Sequence, residues 1–502
     1  MSAISRIVVA GSGPVAWLTA AALLRAFRQP TPDVLVVDTG DSRDARVGRW
    51  LLPSQRGMHA LLGIAEPHFM QHTGATFKLA TEHNGWQGTG SQFLHAHGDI
   101  GIEFRGLPFY KFLQSENLAG RAARPESFSV AGSAARLGKF ARPAASADQL
   151  TSSFTYSFHC DEAAYADYLR AHAVRLGARA ASAALADVSL NDAGAIEALR
   201  LADGSPVTAD LFVDCSGPEA RLIGRVSRAA REDWSAWLPC DCMWSARSPA
   251  AGDTSAVTRT FAADAGWFWR APLAQSTIVG HVFSSRFQDA AAARETLQAF
   301  EPALRGEPTL TRFAAGRRRS VWERNCVAIG ASAVELEPLA GADLHLAQIG
   351  IATLVELFPR DRRSTIEAAE YNRLMAEYAD ALRDFTFAHY HIGAARPGEF
   401  WSSIRAQALP ANLAARLDLY GASGRINLLD HESFEETDWA WLFLGTGFPA
   451  DSLELQTRLQ LAQLVPQEVN ALRTHIQRLV QSMPSHGDFL RHQAVATPRA
   501  SQ

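Results

Sequence analysis

The stretch from Ile7 to Asp38 constrains this chain more than any other. Ile7-Val8-Val9-Ala10 is a short apolar run and leads directly into Gly11-Ser12-Gly13-Pro14-Val15-Ala16. Such a run, bounded by turn residues, reads as a strand buried in a parallel sheet. An Ala/Leu-rich helical pattern follows to Phe27, and a second apolar run, Val34-Leu35-Val36-Val37, ends in Asp38. Gly11 and Gly13 permit a tight turn and let a pyrophosphate approach the backbone, while Ala16 takes the third small position, where helix and strand pack closely. Asp38 stands where an acid accepts a ribose hydroxyl. Strand, glycine turn, helix, strand and terminal acid in this order predict a dinucleotide site at Gly11, Gly13, Ala16 and Asp38.

A length of 502 residues exceeds what one core normally serves, so two or three modules are expected. With 47% hydrophobic and 20% charged residues, the chain reads as a soluble globular protein. Its net charge of −4 argues against a nucleic-acid partner. No apolar run approaches the ~20 residues of a membrane span. The first strand begins almost at once, leaving no room for a signal peptide, and a cytoplasmic protein is expected. Cys160, Cys215, Cys240, Cys242 and Cys326 lack C-x-x-C spacing, which predicts reduced thiols and no metal site.

Further along, residues 40–60 read as a loop and 117–150 as an exposed excursion without regular structure. Tyr165, Tyr168, Leu169, Ala173 and Leu176 have helical spacing, predicting a helix over 163–176. Residues 209–217 read as a strand ending at Gly217, 240–320 as strands separated by turns, and 325–330 as a buried strand ending at Gly330. Beyond it the pattern is helical, and Val469, Leu472, Ile476, Leu479 and Val480 share one face. Strands ending at Gly11, Gly217 and Gly330 are far apart in sequence, and ligands of open parallel sheets bind at the carboxyl ends of strands. A cofactor served by such distant strands points to resident FAD rather than NAD. The expected fold is α/β: a flavin monooxygenase-like FAD-binding core with mixed sheets and inserted substrate segments over 1–375, and a mainly helical, substrate-covering module over 376–502.

Gly266-Trp267-Phe268-Trp269-Arg270-Ala271-Pro272 resembles the GWxWxIP motif of the flavin-dependent tryptophan halogenases, with Ala271 in place of isoleucine. Gly74-Ala75-Thr76-Phe77-Lys78-Leu79 with Asn84-Gly85-Trp86 is similar to the family segment that carries its active-site lysine. Phe212 to Gly217, Val327 to Gly330, Leu336-Glu337-Pro338-Leu339, His389-Tyr390, Phe400-Trp401, Gly424-Arg425-Ile426, Trp439 and Met483-Pro484-Ser485-His486 follow in family order, so the resemblance spans nearly the whole chain.

The resemblance implies a two-component oxidoreductase, a flavoprotein monooxygenase-like enzyme to which a separate flavin reductase supplies FADH2. Reduced FAD and oxygen give a flavin C4a-hydroperoxide, and halide attack yields hypohalous acid. That species passes through a tunnel to Lys78, which hydrogen-bonds it or becomes a haloamine. Trp267 and Trp269 partition flavin from substrate, and Gly217 and Gly330 lie toward the isoalloxazine. An amine between apolar walls has a lowered pKa, which suits it to either role. The substrate implied is an electron-rich aromatic such as an indole, free or carrier-bound. Monomer and homodimer both stay open.

Two loops depart from the family pattern. Where members carry Leu-Glu-Pro-Leu-Glu-Ser-Thr-Gly, this chain has Leu336-Glu337-Pro338-Leu339-Ala340-Gly341-Ala342-Asp343. Ala340 replaces the catalytic glutamate, and Asp343 would repel a halide if it pointed inward. Asp343, or less readily Glu337, is the candidate replacement carboxylate, turned toward Lys78. The family's Val-Gly-Glu reads Val47-Gly48-Arg49, a base for an acid. Halide use therefore stays open, with two alternatives to a halogenase: a flavin-dependent hydroxylase without halide, or a non-catalytic paralogue that binds flavin or an aromatic ligand.

Overall fold

A computed structural model describes residues 4–27, 31–40, 47–121, 124–144, 149–250, 255–361, 365–392 and 396–496. The chain forms two compact units, one of residues 1–74, 160–245 and 309–383, the other of 75–159, 246–308 and 384–502. Each unit joins stretches that are far apart in sequence.

The first unit is built on a six-stranded sheet. Its order is Trp322–Glu323, Cys326–Ala328, Leu211–Asp214, Arg6–Ala10, Asp33–Val37, Arg179–Ala180. All neighbours are parallel except the outermost Trp322–Glu323. Ile7, Val8, Val9 and Ala10 are fully buried, as an unbroken apolar run in a covered parallel sheet requires. The helix Pro14–Ala26 begins at Gly13, with Pro14 in the first turn, where its missing N–H costs nothing. The expected helix over 163–176 is Glu162–Arg175, capped by the Asp161 carboxylate accepting from the Ala164 N–H. The expected α/β class holds.

In the second unit, strands Ser276–Phe283, Gly266–Pro272, Val257–Ala263, Ala80–Asn84 and Gln92–Ala96 lie side by side in that order. The short strand Thr76–Lys78 pairs antiparallel with Ser157–Asp161, setting Lys78 opposite Ser157. Helices Tyr110–Leu118, Glu436–Thr446 and Pro466–Ser482 belong to this unit. On the last of these, Ile476 and Val480 are the buried members of the expected apolar face.

Three sequence expectations change. Within 40–60, Gly48–Trp50 is a strand and Ser54–Leu62 a helix, while residues 41–46 lie outside the described residues. Within 117–150, Val130–Arg136 is a helix with Val130, Ala131, Ala134 and Ala135 buried. Its small side chains permit close packing: a Cβ on Gly132 would come 2.9 Å from Glu126 Cα. Within 240–320, the Ala-rich run forms the helix Ala290–Phe300, capped by Asp289. Among the described residues, no helix is long and apolar enough to cross a membrane, and no group of three acidic, His or Cys residues is placed to hold a metal.

Candidate functional site

In the first unit the expected dinucleotide residues meet at one edge of the sheet. Gly11, Asp38, Gly217 and Gly330 follow the carboxyl ends of four adjacent parallel strands. Gly11 has φ +144°, and a Cβ there would lie 2.4 Å from the Cys215 carbonyl oxygen and 3.2 Å from Ala16 Cβ. Only glycine fits, and Ala16 is fully buried against it. At Gly13, by contrast, a Cβ would meet nothing within 4 Å. The protein leaves that space empty in front of a helix N-terminus, an arrangement that suits an anionic phosphate. Asp38 is exposed just beyond its strand, its carboxylate accepting from the Gly40 N–H at 2.9 Å. Gly330 has φ +78° and sits against Val15 at the start of the helix. These residues fit a dinucleotide such as FAD. The buried Asp214 carboxylate, which sequence reasoning misses, accepts from Ser216, Leu222 and Ile223 N–H and shapes the turn holding Gly217.

The two departing loops meet in this unit. Arg49, on the strand Gly48–Trp50, is buried and donates through two nitrogens to both carboxylate oxygens of Glu162. Its third nitrogen lies 3.7 Å from the Asp343 carboxylate. Burial works against the Arg49 charge, but Glu162 and then Asp343 raise its pKa above the ordinary arginine value. Asp343 opens the helix Asp343–Glu356, favourable for a negative side chain. Gly341 has φ +64°, and a Cβ there would strike the Trp50 ring at 2.5 Å. Glu337 is buried and accepts from the Cys240 N–H at 2.7 Å.

Lys78 belongs to the second unit and is 1% exposed. Its Nζ lies 2.7 Å from Nε2 of His97. Burial pulls its pKa from 10.5 down to about 7, against an opposing pull from Asp438. His97 is held well below the usual histidine range by burial, then by Lys78. Asp438 is engaged by His95 at 2.9 Å. His159 sits between the hydroxyls of Thr76 and Thr258. Sequence reasoning misses these histidines, although His95-Ala-His97 at the end of a strand is a signal open to view.

Trp267 and Trp269 share one face of Gly266–Pro272 and are enclosed in the second unit. Trp267 Nε1 donates to the Tyr390 hydroxyl at 2.8 Å, beside Trp86. Opposite Trp269 is Gly280, where a Cβ would come 2.4 Å from the indole nitrogen.

A model of the tryptophan halogenase family matches residues 6–460. Tryptophan 7-halogenase RebH of Lentzea aerocolonigenes is 27% identical, over 98% of this chain and 99% of its own. Among solved structures, BrvH, a flavin-dependent halogenase from Brevundimonas sp. BAL3, is 32% identical with a TM-score of 0.91, covering 98% of this chain and 99% of that one. Xcc4156, a flavin-dependent halogenase from Xanthomonas campestris, is 31% identical with a TM-score of 0.91 and the same coverage, 98% and 99%.

Proposed function

The chain belongs to the tryptophan halogenase family, a family of flavin-dependent oxidoreductases, and we propose that it is an FADH2-dependent halogenase of an electron-rich aromatic such as an indole, served by a separate flavin reductase. The observation that carries this reading is Lys78. A lysine enclosed by protein, 2.7 Å from an imidazole and with its pKa drawn down to about 7, has a neutral, nucleophilic form available near neutral pH.

Gly11, Gly13, Ala16 and Asp38 would hold FAD, with Gly217 and Gly330 toward its isoalloxazine. When bound in reduced form, FAD with oxygen and halide supplies hypohalous acid. Delivery of the halogen falls to the chain's own residues. The neutral Lys78 amine has a lone pair for the halogen and N–H groups for the oxygen, so it receives and directs the electrophile. To Trp267 and Trp269 we assign the partition that keeps substrate from the flavin.

Halogen substitution on an aromatic ring releases a proton, and Ala340 offers no base for it. Of the two carboxylates in that loop, Glu337 is buried on a backbone N–H. Asp343 keeps a side chain 23% exposed, and the proton is assigned to it. Arg49 stands between Asp343 and Glu162, so the three groups carry one net negative charge where the two carboxylates without it would carry two.

The test is a mass-spectrometric assay with flavin reductase, NADH, FAD, bromide and a panel of indoles, pyrroles and phenols. A bromide-dependent product is expected. A hydroxylated product independent of halide, or no product from any halide, would overturn the reading.

A further inference from the structure

Resting on the reading of Lys78 above, we infer that His97 is its positioning residue: Nε2 of His97 accepts one N–H of the amine, keeps Lys78 from acquiring a charged partner, and aims its remaining lone pair.

Two basic nitrogens 2.7 Å apart require a hydrogen between them, so one donates and the other accepts. Charged or neutral, the Lys78 amine carries N–H groups to donate, and Nε2 of a neutral His97 has a lone pair to receive one. The backbone N–H of His97 donates to the Leu79 carbonyl at 2.7 Å and its backbone carbonyl accepts from the Thr155 N–H at 3.0 Å, which fixes where the ring starts from. The Ser157 hydroxyl lies 3.4 Å from the same Nε2, a longer contact than that of Lys78.

The other groups around this pair are engaged elsewhere. His95 is on Asp438, His159 is on two threonine hydroxyls, and His83 is on the Thr260 hydroxyl at 3.0 Å. His159 in turn lies in the field of Lys78 and His486, and His83 in that of His389, His95 and Lys78. Among the described residues no carboxylate forms an ion pair with Lys78.

A carboxylate in place of His97 would stabilise the ammonium and remove the lone pair. A neutral acceptor bonds the amine without supplying the charge that would hold its proton. Residue usage fits this role. Lys78, Lys111 and Lys139 are the only lysines in a chain with 48 lysines and arginines together, so simple cations here are arginines. A side chain that must be able to lose its charge cannot be an arginine.

The test compares His97→Gln, His97→Ala and His97→Glu in the full-length protein by two readouts. One is the pH dependence of Lys78 acylation by a water-soluble amine reagent, followed by peptide mass spectrometry with Lys111 and Lys139 as internal references. The other is kcat and KM for bromination. His97→Gln keeps a neutral acceptor and is expected within about threefold of wild type. His97→Ala is expected to lose at least tenfold in kcat with KM little changed. In His97→Glu the acylation midpoint should rise by at least two pH units, with bromination lost near pH 7 and partly regained at higher pH. Equal activity in Gln and Ala variants, or an acylation midpoint in His97→Glu equal to wild type, would overturn the inference. If His97→Glu does not fold, the contrast between Gln and Ala decides by itself. If wild type brominates nothing, the proposed function falls while the acylation series still decides the role of His97.

Discussion

The guanidinium of Arg49 grips Glu162 with two donors and lies 3.7 Å from the carboxylate of Asp343. Positions 49 and 343 lie in the two loops whose sequences, read against the family resemblance, exchange acid for base and glycine for acid. The departures are complementary. With an acid kept at 49, three carboxylates would crowd one buried place. Arg49→Met should therefore lower the unfolding free energy by about 3–5 kcal/mol, the usual cost of removing one partner from a buried ion pair. Adding Asp343→Asn should recover part of the loss, because it removes one of the uncompensated charges. Chemical denaturation of both variants measures this, and equal stability of Arg49→Met and wild type would contradict it.

Asp343→Asn in the otherwise intact chain should reduce halogenation at least tenfold, about 1.4 kcal/mol of barrier. Normal activity would remove Asp343 from the reaction. The structure also limits how the family loop can be restored. Ala340→Glu alone is admissible, whereas Gly341→Ser would drive a side chain into Trp50 from a left-handed backbone. The single change should raise turnover, and adding the serine should lower stability.

The two glycines of the first turn should behave differently. At Gly11 an added Cβ meets the Cys215 carbonyl at 2.4 Å, whereas at Gly13 it meets nothing. Gly11→Ala should destabilise the fold by more than about 2 kcal/mol, the range for a strained backbone with overpacking. Gly13→Ala should leave stability near wild type and weaken flavin binding about tenfold. Titration with FAD and with anaerobically reduced FAD, beside thermal melts, separates the two outcomes. Wild-type binding in Gly13→Ala would remove this turn from the cofactor site.

The pH dependence of stability has a definite sign. Lys78 titrates near 7 in the folded chain and at 10.5 when unfolded, so between those values the unfolded state binds the extra proton. Stability from this group is lowest below pH 7 and recovers as pH rises. Lys78→Met should remove that dependence, stabilise the protein near pH 6 by about 5 kcal/mol, and abolish halogenation. The buried histidines act in the acid range. His83, His97 and His159 have folded pKa values below the unfolded 6.5, so their contribution is lost as pH falls below 6.5. Melting temperatures from pH 5 to 9 for wild type and Lys78→Met check both arms. A wild-type curve flat from pH 5 to 9 would count against these assignments.

What was legible in the sequence was local. The strand, the turn at Gly11 and Gly13, the helix with Ala16, and the acid at Asp38 are set by neighbours a few residues apart. There, side-chain periodicity and the steric needs of a tight turn leave few alternatives. The Trp267 and Trp269 pair shares a face for the same reason, since every second residue of a strand points one way. The small-residue helix Val130–Arg136 escaped because its apolar contrast is weak and its packing is supplied by a distant Trp441 and by Glu126. Tertiary structure alone decided the partners of the chemical groups. Arg49 meets Glu162 and Asp343, and His95 meets Asp438, 343 residues away in sequence. Lys78 and His97 come together because their segments run through the same small region of the second unit. Charge and hydrogen-bond partners are chosen by strand register and helix packing across long loops, and no local pattern encodes which buried base will face which acid.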